Sequence, residues 1–183
     1  MRTGGLVIQV PPGALVLPIG ASGSGKSTFA ARHFDAEAIV SSDRLRGTLT
    51  GDEGDQRATT LAFDRLHQWV DARLATGAPA VVDATNIDWM WRTRLIEVAR
   101  RHARPAIAIV FALPVEVCLA RNGARPRTVP RSVVRRQVDV VTRDLDRLDL
   151  EGFVAVYVLR SVTDVDAARL EIEKGPVARA LSS

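Results

Sequence analysis

The stretch ALVLPIGASGSGKSTFAARHF, residues 14–34, constrains the fold more than any other part of the chain. An apolar run, Ala14–Ile19, predicts a buried strand. Gly20, Gly23 and Gly25 then break it, and a helix is expected from about Gly25 to His33. A strand that passes through so short a loop into a helix commits the chain to strand–helix alternation, with helices packed on a parallel sheet. Residues 20–27, GASGSGKS, fit the pattern G-x-x-x-x-G-K-[ST] in the strand-to-helix setting that the pattern requires. Its physical content is an anion nest. Backbone running from Gly20 through Ala21, Ser22, Gly23, Ser24 and Gly25 to Lys26, Ser27 and Thr28 wraps phosphate oxygens with N–H groups, and the helix N-terminus adds its dipole. Lys26 supplies a mobile cation for β- and γ-phosphates, and the Ser27 hydroxyl suits Mg²⁺.

The rest of the chain continues the alternation. Further strands are predicted over residues 38–41, 80–83, 106–113 and 153–159, and helices over 57–76, 88–103, 115–122, 131–148 and 164–173. Leu61, Leu66, Trp69, Val70 and Leu74 fall near one face of the first of these helices; Trp91, Leu95, Val98 and Ala99 point inward from the second. The run AIAIVFAL (106–113) reads as a strand buried on both faces. The fold class is α/β, three layers with a parallel sheet flanked by helices, right-handed crossovers and ligands at the carboxyl ends of the strands. A chain of 183 residues is expected to form one domain, 1–183.

Composition adds two constraints. Of 25 basic residues only Lys26 and Lys174 are lysines, so one of the two ammonium groups in an arginine-biased chain stands where the loop pattern demands one. Cys118 is the single cysteine, which excludes an internal disulfide and fits a reducing compartment. The N-terminal apolar stretch is too short for a signal peptide, and no run approaches the roughly 18–20 apolar residues of a membrane span. A cytoplasmic protein without membrane contact is expected. The net charge of +4 permits an anionic partner. The three histidines pair with no cysteine at metal-ligand spacing.

Three segments bear on chemistry. AVVDATN (80–86) looks like a Walker B strand that ends in Asp83, a carboxylate placed to hold Mg²⁺ directly or through water; a strand-end Asp capping a turn is the plainer reading. IVSSDRLRG (39–47) ends a strand with Asp43 and, one helical turn on, Arg46. These two read either as a helix N-cap with its ion pair or as a general base with an anion clamp for an acceptor. RNGARPRTVPRSVVRR (121–136) holds six arginines. Hinged at Gly123 and Pro126, it suits a lid over residues 114–136 that closes Arg121 and Arg125 on phosphates, while Arg131, Arg135 and Arg136 read as a solvated face.

A nest of this kind binds nucleoside triphosphate in switches, motors and kinases alike. The guanine-reading N-K-x-D pattern is absent, which disfavours a GTPase, and the chain is short for a motor ATPase. Kinases need a carboxylate for the acceptor's proton and cations for the transferring phosphoryl oxygens.

The motifs GASGSGKSTFAARHF, SSDRLRG, GDEGDQ, VVDATN and VCLARNGAR occur in this order. Over residues 13 to 160 the chain resembles the 5′-kinase domain of bacterial polynucleotide kinase-phosphatases of the RNA-repair type. The resemblance implies ATP-dependent, Mg²⁺-dependent phosphorylation of the 5′-hydroxyl end of RNA or DNA. It implies Lys26 and Ser27 on ATP and the metal ion, Asp43 as general base, Arg46 on the acceptor's 3′-phosphate, Gln56 on the acceptor side, and Arg121 and Arg125 as lid arginines, with Arg121 also packing on adenine. The family's further lid arginine falls on Thr128 here, with Arg127 beside it. Phosphatase and ligase-like partner domains of such enzymes lie outside this chain. Two other readings stand beside it: a P-loop kinase of a small hydroxylated metabolite, nucleoside or antibiotic, and a nucleotide-binding regulator without transfer chemistry.

Overall fold

The computed structural model describes residues 6–45 and 59–173. Five parallel strands form the central sheet in the order β3 (Ile39–Ser41), β4 (Ala80–Asp83), β2 (Leu15–Gly20), β5 (Ala106–Phe111) and β6 (Ala155–Leu159). Helices α1 (Lys26–His33), α2 (Thr59–Ala75), α3 (Trp89–Arg101), α4 (Val115–Gly123), α5 (Arg131–Asp144) and α6 (Val162–Ala167) connect them. All six residues of β2 and of β5 are buried, because helices cover both faces of the sheet. Alternation decides which core each side chain joins. Val16, Val81, Ile107, Ile109 and Phe111 meet Phe29 and Ala30 of α1 and Cys118 of α4. On the opposite face Leu15, Leu17, Val82, Ala108 and Val110 meet Leu66, Val70 and Leu74 of α2 and Leu95 and Val98 of α3. Among the described residues no helix is long and apolar enough to cross a membrane.

The structure departs from the sequence reading at both ends of the described chain. A helix over 164–173 is not formed: α6 ends at Ala167, and Arg169–Ile172 is a strand, β7. It pairs in parallel with β1 (Val7–Val10), a strand that the sequence pattern does not announce. Residues 166–173 have good helix formers, but pairing with a segment more than 150 residues away overrides that preference. A capping box of Ser161 and Asp164 starts α6, a short helix that delivers the chain to β1. The helix expected over 131–148 ends at Asp144 and tightens into a 3₁₀ segment, Leu145–Leu150. Leu61 is not inward: it is 50% exposed, and Ala62 beside it is buried instead.

The burial of one arginine has no signal in the sequence either. Arg92, in the first turn of α3, is 1% exposed. Its Nε and Nη2 donate to the two carboxylate oxygens of Glu151 at 2.7 and 2.5 Å, Asp144 lies 3.8 Å from Nη2, and Nη1 donates to the Asn86 carbonyl at 3.0 Å. A guanidinium so enclosed is tolerated only with its donors met. Replacement of Glu151 by Ala strands that charge and is expected to lower the unfolding free energy by about 3–5 kcal/mol. Replacement of Glu97 by Ala, which ends an exposed pair with Arg100, should change it by less than about 0.5 kcal/mol. Urea titrations of the two variants beside the parent protein check the contrast.

Candidate functional site

β2 is the central strand, and its end at Gly20 opens the loop that leads into α1. Two glycines shape that loop. Gly23 has φ +83°, and a Cβ there would overlap the carbonyl oxygen of Cys118 on α4. Gly25 has φ +100° and serves as the N-cap of α1 without any side-chain cap, so the first N–H groups of the helix stay turned toward the loop's hollow. Lys26 is 7% exposed. Its Nζ donates to the Ala21 carbonyl at 2.8 Å and to Ser24 Oγ at 3.3 Å, bridging the two arms of the loop. Burial pushes its ammonium pKa from the ordinary 10.5 down to about 8; the Asp83 carboxylate works against that shift and the Arg125 guanidinium adds to it.

Asp83 ends β4, the strand next to β2. Ser27 Oγ donates to Asp83 Oδ1 at 2.9 Å. A hydroxyl and a carboxylate in contact at the foot of a phosphate loop make the hard-oxygen pair that fits Mg²⁺ shared with phosphate and water.

The arginine-rich segment also comes to the loop. Arg121 Nη1 donates to the Ser24 carbonyl at 3.4 Å. Arg121 and Arg125, together with Gly23, Gly25, Thr28, Arg32 and the α6 residues Val165 and Asp166, border a cavity of about 360 Å³. Clefts of roughly 300–1,000 Å³ take ligands of nucleoside size. A larger hollow of about 680 Å³ lies between α2 and α3, bordered by Asp64, His67, Trp91 and Arg94, and shares no residue with the loop.

Asp43 lies toward the outer side of the sheet. β3 is not beside the loop strand; β4 intervenes. Ser41 pairs with Asp83 in the β3–β4 register, so Asp43 stands two residues beyond that level, on the same edge. Residues 42–45 turn helical, and Ser41 Oγ accepts from the Arg44 N–H at 3.5 Å. Ser41, not Asp43, therefore occupies the N-cap, and Asp43 is an exposed residue of the first turn. Arg46 and Gln56 lie outside the described residues.

Three further side chains shape the site. Gln137 of α5 accepts from the Ser22 N–H at 2.8 Å, which ties the helix after the arginine segment to the loop. Asn122 exchanges hydrogen bonds with the backbone of Val129, Nδ2 to the carbonyl at 2.8 Å and N–H to Oδ1 at 3.1 Å, closing the intervening loop. Asn86 is buried at φ +51°. The available signal is a polar residue on an apolar face: Gln137 stands one turn from Val134 and Val141.

No curated protein matches this chain. Solved structures do. A chain of the Pnkp1/Rnl/Hen1 RNA repair complex is 23% identical with a TM-score of 0.66, over 78% of this chain and 47% of that one. This chain thus spans about half the length of that relative. Kti12 from Chaetomium thermophilum, solved with ADP-AlF3, is 16% identical with a TM-score of 0.60, over 83% of this chain and 93% of its own. A gluconokinase from Sinorhizobium meliloti 1021 is 19% identical with a TM-score of 0.52, over 85% and 91%. These likenesses show a P-loop kinase-type fold. The family model described as AAA domain matches residues 15–148, and the chain belongs to that family.

Proposed function

We propose that the chain is an ATP-dependent kinase that transfers the γ-phosphate of ATP to the 5′-hydroxyl end of RNA or DNA. The observation that carries the donor half is the meeting of Lys26, the Ser27–Asp83 pair and Arg121 around one glycine loop. The acceptor half is supported by Asp43 on the same strand edge, by the SSDRLRG motif, and by the likeness to the RNA repair complex. Mg²⁺, when bound by Ser27 and Asp83, supplies charge neutralisation of the β- and γ-phosphate oxygens. The loop N–H groups and Lys26 bind and orient the phosphate chain. Arg121 and Arg125, on a lid over residues 114–136, close over it and hold out water. Arg46 binds the acceptor's 3′-phosphate and Gln56 its neighbouring groups. Asp43 takes the proton of the 5′-hydroxyl as that oxygen bonds to the γ-phosphorus, and the bond from phosphorus to the β–γ bridging oxygen breaks to release ADP. A second reading, a kinase of a small hydroxylated acceptor, draws on the gluconokinase, which is matched over nearly its whole length.

Labelled γ-phosphate should pass to an oligonucleotide with a 5′-hydroxyl and not to its 5′-phosphorylated twin. Asp43→Ala should lower kcat by about 10²–10⁴-fold with ADP affinity unchanged. Wild-type protein that binds ATP yet labels no oligonucleotide would sink the polynucleotide reading in favour of a small acceptor.

Lys26 gives a pH signature of the donor site. Its pKa in the free loop is about 8. Bound phosphate favours the charged ammonium and raises that value, so nucleotide binding takes up a proton as pH rises from about 8 toward the ordinary 10.5. Calorimetry of metal-free ADP at about pH 9, in buffers of different ionisation heat, should register the uptake, and Lys26→Arg, charged throughout, should abolish it. Equal heats in both buffers for the wild type would contradict it.

A further inference from the structure

A proline sits in the middle of the central strand. Alternate residues of β2 turn their backbone groups toward β4: the Ala14 carbonyl accepts from the Ala80 N–H, and the Gly20 N–H donates to the Thr85 carbonyl. Pro18 belongs to that set and has no N–H. The β2–β4 register accordingly stops at Val16 and Val81, whereas β2 stays paired with β5 through Gly20 and β4 stays paired with β3 through Asp83. In a parallel ladder that runs Val16 against Val81, the missing rung is the one from residue 18 to the Val82 carbonyl. Asn86 replaces it. Its Nδ2 donates to the Val82 carbonyl and to the Pro18 carbonyl, both at 2.8 Å. A left-handed backbone at φ +51°, which Asn tolerates better than most residues, turns the side chain back between the strands. Arg92 then fixes Asn86 from behind, donating to its carbonyl while Glu151 holds the guanidinium.

The two strands that Asn86 joins carry the two halves of the metal-binding pair: β2 leads into the loop that bears Ser27, and β4 ends in Asp83. We infer that Asn86 is a positioning residue for divalent-cation binding. It spans the rung that Pro18 leaves open and, with the Gly20–Thr85 bond, sets the lateral distance between Asp83 and the phosphate loop, and Arg92 locks it in that posture. The inference rests on the reading of Ser27 and Asp83 as a Mg²⁺ site, and not on the identity of the acceptor.

Its test therefore needs no acceptor. ADP affinity is measured by calorimetry with and without Mg²⁺ for the wild type, Asn86→Gly, Asp83→Asn and the double variant. Glycine keeps the left-handed backbone and removes only the carboxamide. Metal-free ADP affinity of Asn86→Gly should stay within about threefold of wild type, while the gain conferred by Mg²⁺ should fall about 10–100-fold, the usual cost of losing a group that orients a ligand. In the Asp83→Asn background the same change should add nothing to that loss, because Asn86 acts through Asp83. A merely structural role would instead weaken metal-free and metal-dependent binding alike, and that result overturns the inference. An undiminished Mg²⁺ gain in Asn86→Gly overturns it too. If the wild type shows no Mg²⁺ gain at all, the metal site fails and the inference with it. Should the glycine variant not fold, Asn86→Ser, which keeps one donor, carries the same comparison with a smaller shift expected.

Discussion

A buried ammonium governs this architecture. Lys26 lies at the hollow of the glycine loop, with two hydrogen bonds and the Arg125 charge pressing on it. Burial of a cation without a full counter-charge is unfavourable. The nearby carboxylate, Asp83, is also engaged by Ser27. The site is thus short of negative charge in its ligand-free form, and a phosphate chain supplies what it lacks. Arginines near the loop deepen that shortage. Arg121 leans on the Ser24 carbonyl and Arg125 is felt at Lys26, an arrangement of like charges that only a polyanion makes favourable.

The scaffold meets this demand by stiffness at the centre. Gly23 backs directly onto α4, so the loop cannot shift without moving the helix that carries Arg121. Gln137 grips the opposite side of the loop from α5. The loop is thereby held by the helices on both sides of the arginine-bearing turn, and Asn122 closes that turn upon itself. On the proposed lid reading, the two held roots leave residues 123–130 as the part that closes.

Much of the centre is legible in the sequence because its constraints are local. Glycines at fixed offsets, a lysine and a serine in register, and all-apolar strands need no partner to be recognised. The separate two-stranded sheet is less so. β1 and β7 are four residues each and exist only because they pair with each other, so neither has a period long enough to read. Arg92 in a helix reads as a solvated cation until Glu151, 59 residues away, is seen to enclose it. That β4 separates Asp43 from the loop strand cannot be read from its motif, because strand order belongs to the sheet as a whole. Asn86 is visible as part of VVDATN, but its role depends on Pro18, 68 residues earlier, and on the rung that proline leaves open.

The inserted strand also divides the labour of the site. The phosphate loop follows β2 and Asp83 ends β4, interior strands flanked on both sides. Asp43 comes after β3, the outermost strand on that side, and is exposed. An edge strand answers to one neighbour only, so the sequence that follows it can vary without disturbing the ladder that holds Lys26 and Asp83. Under the proposed function, donor chemistry is therefore fixed by the core and acceptor choice falls to the rim. If Asp43 serves the acceptor as proposed, substitutions there alter acceptor use and leave the binding of the donor phosphates as it was.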